Sequence, residues 1–202
     1  MEINSLLVFQ DNMYFFFLAY FILGGGIKYI DAAFDDKVFK KRNAIIIAPF
    51  LGILWSYTML INEISASILL AVLIAVLIKG KIDNMAHLIG LITIIIFGIF
   101  IILFIDGNGF MLLPLIFLTS AGIIDEVGND IIDYNKSQKK VRFRYNFLIY
   151  FFGRRYLMKT AIIYIALIGL FPLYFVLAFF FFDESYIIMD LLSQSRQKID
   201  GS

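Results

Sequence analysis

Six apolar runs, at about residues 13–30, 44–61, 64–79, 87–105, 109–124 and 160–182, are long enough to cross a hydrocarbon layer or nearly so. A bilayer core is about 30 Å thick and a helix rises about 1.5 Å per residue, so roughly 17–25 apolar residues reach across it. In hydrocarbon every backbone N–H and C=O must be satisfied within the protein, which leaves helices or a closed barrel, and runs of this length suit helices. The expectation is therefore an all-α integral membrane protein, a bundle of about six transmembrane helices forming one domain over residues 1–202. Composition agrees, with 61% hydrophobic residues, 16% charged residues and a mean hydropathy of +0.89. The absence of cysteine excludes disulfides, thiolate metal sites and Cys nucleophiles, and a net charge of +1 gives no reason to expect nucleic acid. The lead-in "MEINSLLVFQDN" lacks a basic n-region and a small-residue cleavage site, so it is expected to be a short exposed segment and not a signal peptide. A seventh run, Tyr145 to Phe152, is too short to span and suits an interfacial helix.

Lys and Arg near span ends stay on the cytoplasmic side. The segments after the first, third and fifth runs, together with Lys28, hold 15 of the 17 basic residues and leave only Arg196 and Lys198 on the other side. Both termini are then expected outside, with residues 183–202 forming an outer amphipathic or loosely ordered tail. The same topology places Glu2, Asp11, Glu63, Asp106, Asp183, Glu184, Asp190 and Asp200 outside as scattered solvated ends. Asp31, Asp35, Asp36, Asp83, Asp125, Glu126, Asp130 and Asp133 gather on the inner side.

Two inner segments read alike, "IDAAFDDKVFKKRN" from Ile30 and "IDEVGNDIIDYNKS" from Ile124. Asp31 aligns with Asp125, Asp35 with Asn129 and Asp36 with Asp130 at one offset of 94 residues, which suggests two related halves, about 13–105 and 109–182. Positions i, i+4 and i+8 share a helix face, so Asp31 and Asp35 point together, as do Asp125, Asn129 and Asp133. Like charges at this spacing weaken a helix by a few tenths of a kcal/mol per pair, roughly, which argues for a cation between them. Hard oxygen ligands suit Mg²⁺ or Ca²⁺, and Mg²⁺ commonly bridges carboxylates to substrate phosphates. The alternative is that these carboxylates pair with neighbouring lysines and arginines on a wet surface. Asp83, Asn84 and His87 open the fourth run, where a metal pair competes with helix N-capping, and capping is the expected role. Gly24 to Gly26 are expected to let another helix approach closely. The 23 Phe and 11 Tyr are expected mostly to face lipid, with an isoprenoid tunnel as the alternative.

The acidic segments, with "LIKGKIDN" between them and "FFGRRYLMKTAIIYIAL" after them, resemble the UbiA superfamily of intramembrane prenyltransferases. "DAAFDD" with "KKRN" looks like a reduced first Asp-rich motif of that family, and "DEVGNDIIDYNKSQKK" looks like its second. The resemblance implies Mg²⁺ bound by Asp31, Asp35, Asp36, Asp125, Asn129, Asp130 and Asp133, with Asp31, Asp35, Asp125 and Asp133 serving catalysis. It also implies that Lys37, Arg42, Lys79 and Asn84 bind substrate, a polyprenyl diphosphate whose prenyl group passes to an acceptor. The chain has about six spans where that family usually has nine, so a homodimer is expected to close the smaller chamber. Two other classes compete: a non-catalytic lipid-binding or assembly protein, and a cation transporter, which needs acidic residues near the bilayer midplane.

Overall fold

The computed structural model describes residues 12–104, 109–137, 151–152 and 156–200. The lead-in through Asp11, Asp106 and most of the Tyr145–Phe152 run lie outside the described residues, as does the side chain of Asp133. Seven helices and no strand occur among the described residues: α1 Met13–Phe34, α2 Lys41–Leu60, α3 Glu63–Ile78, α4 Met85–Phe104, α5 Leu112–Ser137, α6 Tyr156–Leu167 and α7 Leu173–Asp200. Three are long and apolar enough to cross a membrane, at Met13–Phe34, Lys41–Leu60 and Leu112–Ile132, while Glu63–Ile78, Met85–Phe100 and Tyr156–Leu167 are shorter apolar helices.

Local chemistry sets the ends. The Asn12 side chain accepts from the N–H groups of Tyr14 and Phe15, and Asn62 caps Ile64 and Ser65 of α3 in the same way. Glycines in the left-handed region stop two helices, Gly80 at φ 65° after α3 and Gly169 at φ 82° after α6. The N–H groups of Gly80 and Lys81 turn back to Leu77 and Val76 at 3.0 and 3.2 Å, and those of Gly169 and Leu170 to Ala166 and Ile165 at 3.0 and 3.2 Å. Both are the paired terminal bonds of a glycine-ended helix.

The stop at Gly169, with Pro172 just beyond it, corrects the expected sixth span. Residues 160–182 are not one helix but the hairpin between α6 and α7. Residues 183–200 continue α7 without a break and form no separate tail. Because α7 returns across the bundle, it packs parallel to α1: Phe16 meets Phe175, Gly24 meets Phe182 and Ser185, and Lys28 meets Asp190. The start of α1 and the end of α7 therefore lie at opposite ends of the bundle. Asp190, expected on the side opposite Asp31, lies at the same end of the bundle, where it pairs with Lys28 while Tyr186 of the same helix bonds Asp31. Arg196, set over the ring of Phe39, shares the end that holds Lys28, so the residues that broke the charge asymmetry join it.

The bundle closes as a ring in the order α1, α2, α3, α5, α6, α7, with α4 laid against the outside of α2. Aromatic side chains fill it, with Phe16, Tyr20, Phe175 and Phe182 at 0–3% exposure. Polar pins cross it too: the Tyr20 and Ser65 hydroxyls meet at 3.1 Å between α1 and α3, and Met111 N–H donates to Ser67 Oγ at 2.8 Å.

Met13→Cys and Lys198→Cys, read with a membrane-impermeant thiol reagent on intact cells and inverted vesicles, should label from opposite sides. The native chain has no cysteine to confuse the result. Labelling of both from one side would overturn the parallel α1–α7 arrangement.

Candidate functional site: the charged end of the bundle

At the end of α1, Asp31 is held by two other helices. His87 Nε2 of α4 lies 2.7 Å from Asp31 Oδ1, and the Tyr186 hydroxyl of α7 donates to Oδ2 at 3.2 Å. An ionised carboxylate only accepts, so Nε2 carries the proton in this contact. His87 is placed by its own helix start, where Asn84 Oδ1 accepts from the His87 N–H at 3.0 Å and Asn84 Nδ2 donates to Asp83 at 3.3 Å. Asn84 thus caps α4, as expected for this segment. Lys28 pairs with Asp190 at 2.8 Å and sits 3.9 Å from Asp36. Asp35 caps the C-terminal end of α1, and partial burial, then the charges of Asp31, Asp83 and Asp36, push its carboxyl above the usual range. Lys37 adopts φ 57°, and Lys37 and Arg42 are exposed at this end.

The second acidic segment has different surroundings. The glycine stop at Gly80 delivers Lys79 to Asp130 at 2.5 Å and Lys81 to Glu126. Asp125, 1% exposed, accepts from the N–H groups of Leu157 and Met158 at 3.2 and 2.7 Å, so it caps the first turn of α6 from a neighbouring helix. Asn129 is half-buried beside it and Asp130 exposed. Next to this cap, Lys159 pairs with Asp183 of α7, both nearly fully buried. The contact is an ion pair without hydrogen-bond alignment at that oxygen. Asp125, Glu126 and Asp183 border a cavity of about 20 Å³, the space of about one water.

The repeated pattern therefore leads to two environments. Asp31 is partly open, three residues from the end of α1, while Asp125 is buried in mid-helix with α5 continuing to Ser137. The Asp31 group bonds α4 and α7, whereas the contacts above join the second group to α3 and α6. Among the described residues no three His, Asp or Glu side chains converge so as to hold a metal ion. The residues present do not fit a magnesium centre shared by both motifs, because Asp125 is already turned onto backbone amides.

Sequence reasoning did not find Tyr186, Lys81 with Glu126, or Lys159 with Asp183. The first and last depend on the α6–α7 hairpin. Its signal, Gly169-Leu-Phe-Pro172, was present inside an apolar run.

An apolar cavity of about 100 Å³ lies between α1, α2, α3 and α4 and is partly open. His87 borders it together with Ile27, Trp55, Val72 and Ile94. Comparison of the chain with protein-family models, with curated proteins and with solved structures finds no match.

Proposed function

We propose that this chain is a membrane-embedded protein that binds an anionic isoprenoid lipid, its charged end facing the cytoplasm and all seven helices lying in or across the bilayer. The observation that carries this reading is the position of the apolar cavity, whose lining includes His87, the residue that Asp31 holds at the charged end. A lipid tail entering the cavity would turn its head group toward this charged end, where Lys37 and Arg42 are exposed.

A second reading, a UbiA-like transferase using Mg²⁺ to hold a polyprenyl diphosphate, is favoured by one feature. Partial burial first, and then the charges of Asp31, Asp83 and Asp36, disfavour the charge of Asp35, and a cation there would relieve the repulsive part. In this reading the metal belongs to the α1 end alone, and Asp125 serves the fold.

Binding of farnesyl diphosphate and of farnesol to the purified chain tests both. The diphosphate should bind more tightly, and Lys37→Ala and Arg42→Ala should each weaken it about 1.4- to 5-fold, as expected for exposed pairs of about 0.2–1 kcal/mol. Equal affinity for the two compounds would refute the head-group site. If EDTA and Asp35→Asn each remove the diphosphate preference, the transferase reading gains. If neither does, lipid binding without the metal stands.

A further inference from the structure

The ring of His87, the only histidine of the chain, is fixed by one of its two nitrogens. Nε2 faces Asp31 Oδ1 at 2.7 Å, and the Tyr186 hydroxyl donates to the other oxygen of that carboxylate. The carboxylate accepts from Nε2–H, so in the neutral imidazole the lone pair stands on Nδ1. Among the described residues none bonds Nδ1. Nor is it one of the enclosed side-chain atoms without a hydrogen bond, which are Trp55 Nε1, Thr119 Oγ1 and Asp183 Oδ2. With the side chain 16% exposed, Nδ1 is open to a ligand. The same ring borders the cavity between α1, α2, α3 and α4, at the end marked by Ile30, Ile82 and Ala86. An imidazole is small, so an open nitrogen on it lies within a bond or two of any space that the ring borders. The other lining side chains are apolar except Trp55, whose Nε1 is enclosed. A ligand here therefore meets one open polar side-chain atom, an acceptor at the charged end of an apolar cavity.

We propose that this cavity binds an uncharged alcohol with an apolar body, and that the alcohol's hydroxyl donates a hydrogen bond to His87 Nδ1. A hydroxyl supplies the proton that the lone pair needs, and it replaces a water there without loss of the bond. An ammonium would also bring a proton, but with a charge whose desolvation beside an apolar wall a hydroxyl avoids. The dimensions agree. The lining residues of α4 run from Ala86 to Ile94, about 12 Å at 1.5 Å per residue. The volume of about 100 Å³ compares with about 150 Å³ for an engineered apolar cavity that takes benzene. A short stretch of the body fits inside, and the rest leaves through the open side. The proposal rests on the lipid-binding reading for the place of the tail and adds a second head-group chemistry to it. Equal binding of farnesyl diphosphate and farnesol refutes the anionic head-group site alone, whereas equal binding of farnesol and its methyl ether refutes the alcohol site alone.

Because the histidine is single, the chain labelled with ¹⁵N in histidine gives one Nδ1 and one Nε2 resonance. The full chain is placed in nanodiscs of phosphatidylcholine, which carries no hydroxyl group, at mildly alkaline pH, where imidazole is ordinarily neutral. It is titrated with farnesol or with farnesyl methyl ether, which has the same body and no proton to donate. In the free protein Nδ1 should resonate as the nitrogen without a proton, and farnesol should move it to saturation while the ether moves it less. Farnesol should bind about 2- to 12-fold more tightly than the ether, the range of one net hydrogen bond. His87→Phe should abolish that preference and leave ether binding in place. A proton already on Nδ1, a resonance that answers both compounds alike, or equal affinities for the native chain overturns the proposal. So does a folded His87→Phe protein that keeps the preference for the alcohol. If that variant does not fold, the native titrations decide.

Discussion

Lys159→Met should cost about 3–5 kcal/mol of stability, the usual penalty for removing one partner of a buried ion pair. Lys159 and Asp183 are 3% and 6% exposed and face each other between α6 and α7. Lys159 lies eight residues before the end of α6 and Asp183 ten residues after the start of α7. At about 1.5 Å per residue the pair is roughly 12–15 Å from the hairpin tip. The tyrosine and phenylalanine rings under the ammonium, Tyr156 at 4.9 Å and Phe180 at 5.7 Å, do not replace a counter-ion for Asp183 once the lysine is gone. Against a total stability of about 5–15 kcal/mol, such a loss should show as a large fall in the melting temperature of the purified protein. The neutral double change Lys159→Met with Asp183→Leu should recover most of it, since replacing a buried pair by apolar residues is commonly neutral or favourable. A single variant as stable as the native chain would mean that the pair is not buried as described.

Gly24→Ala and Gly25→Ala, adjacent and chemically identical changes, should differ sharply. A Cβ at Gly24 would lie 1.9 Å from the Phe182 carbonyl oxygen and 2.6 Å from Ser185 Oγ, and the first of these is backbone that cannot swing aside. At Gly25 the nearest atom is 3.6 Å away, an ordinary contact. Overpacking of this kind costs about 1–3 kcal/mol or more, while alanine in an unobstructed helix position gains about 0.5–1 kcal/mol over glycine. The Gly24 variant should also loosen Lys28–Asp190 and Tyr186–Asp31, because both link the same two helices further along. Thermal unfolding of the two variants side by side is the measurement. Equal melting temperatures would place something other than α7 against Gly24.

The chain alone determined what depends on neighbours in sequence. Run lengths and low charge set an all-helical fold with helices long and apolar enough to cross a membrane, Asn84 at the head of an apolar run predicted its capping role, and three successive glycines predicted close helix contact. The hairpin at Gly169 was legible as well, since a glycine followed by proline three residues later is a helix stop. Hydropathy hid it because both flanks are equally apolar. Tertiary structure alone decided which helix the glycines meet and which charge each charge finds. Asp31 and Asp125 share one local pattern, yet one takes a histidine and a tyrosine from α4 and α7 and the other caps α6. Periodicity specifies the face on which a carboxylate stands. What it bonds depends on the helices packed against that face, and these come from residues 56 and 155 positions away for the partners of Asp31.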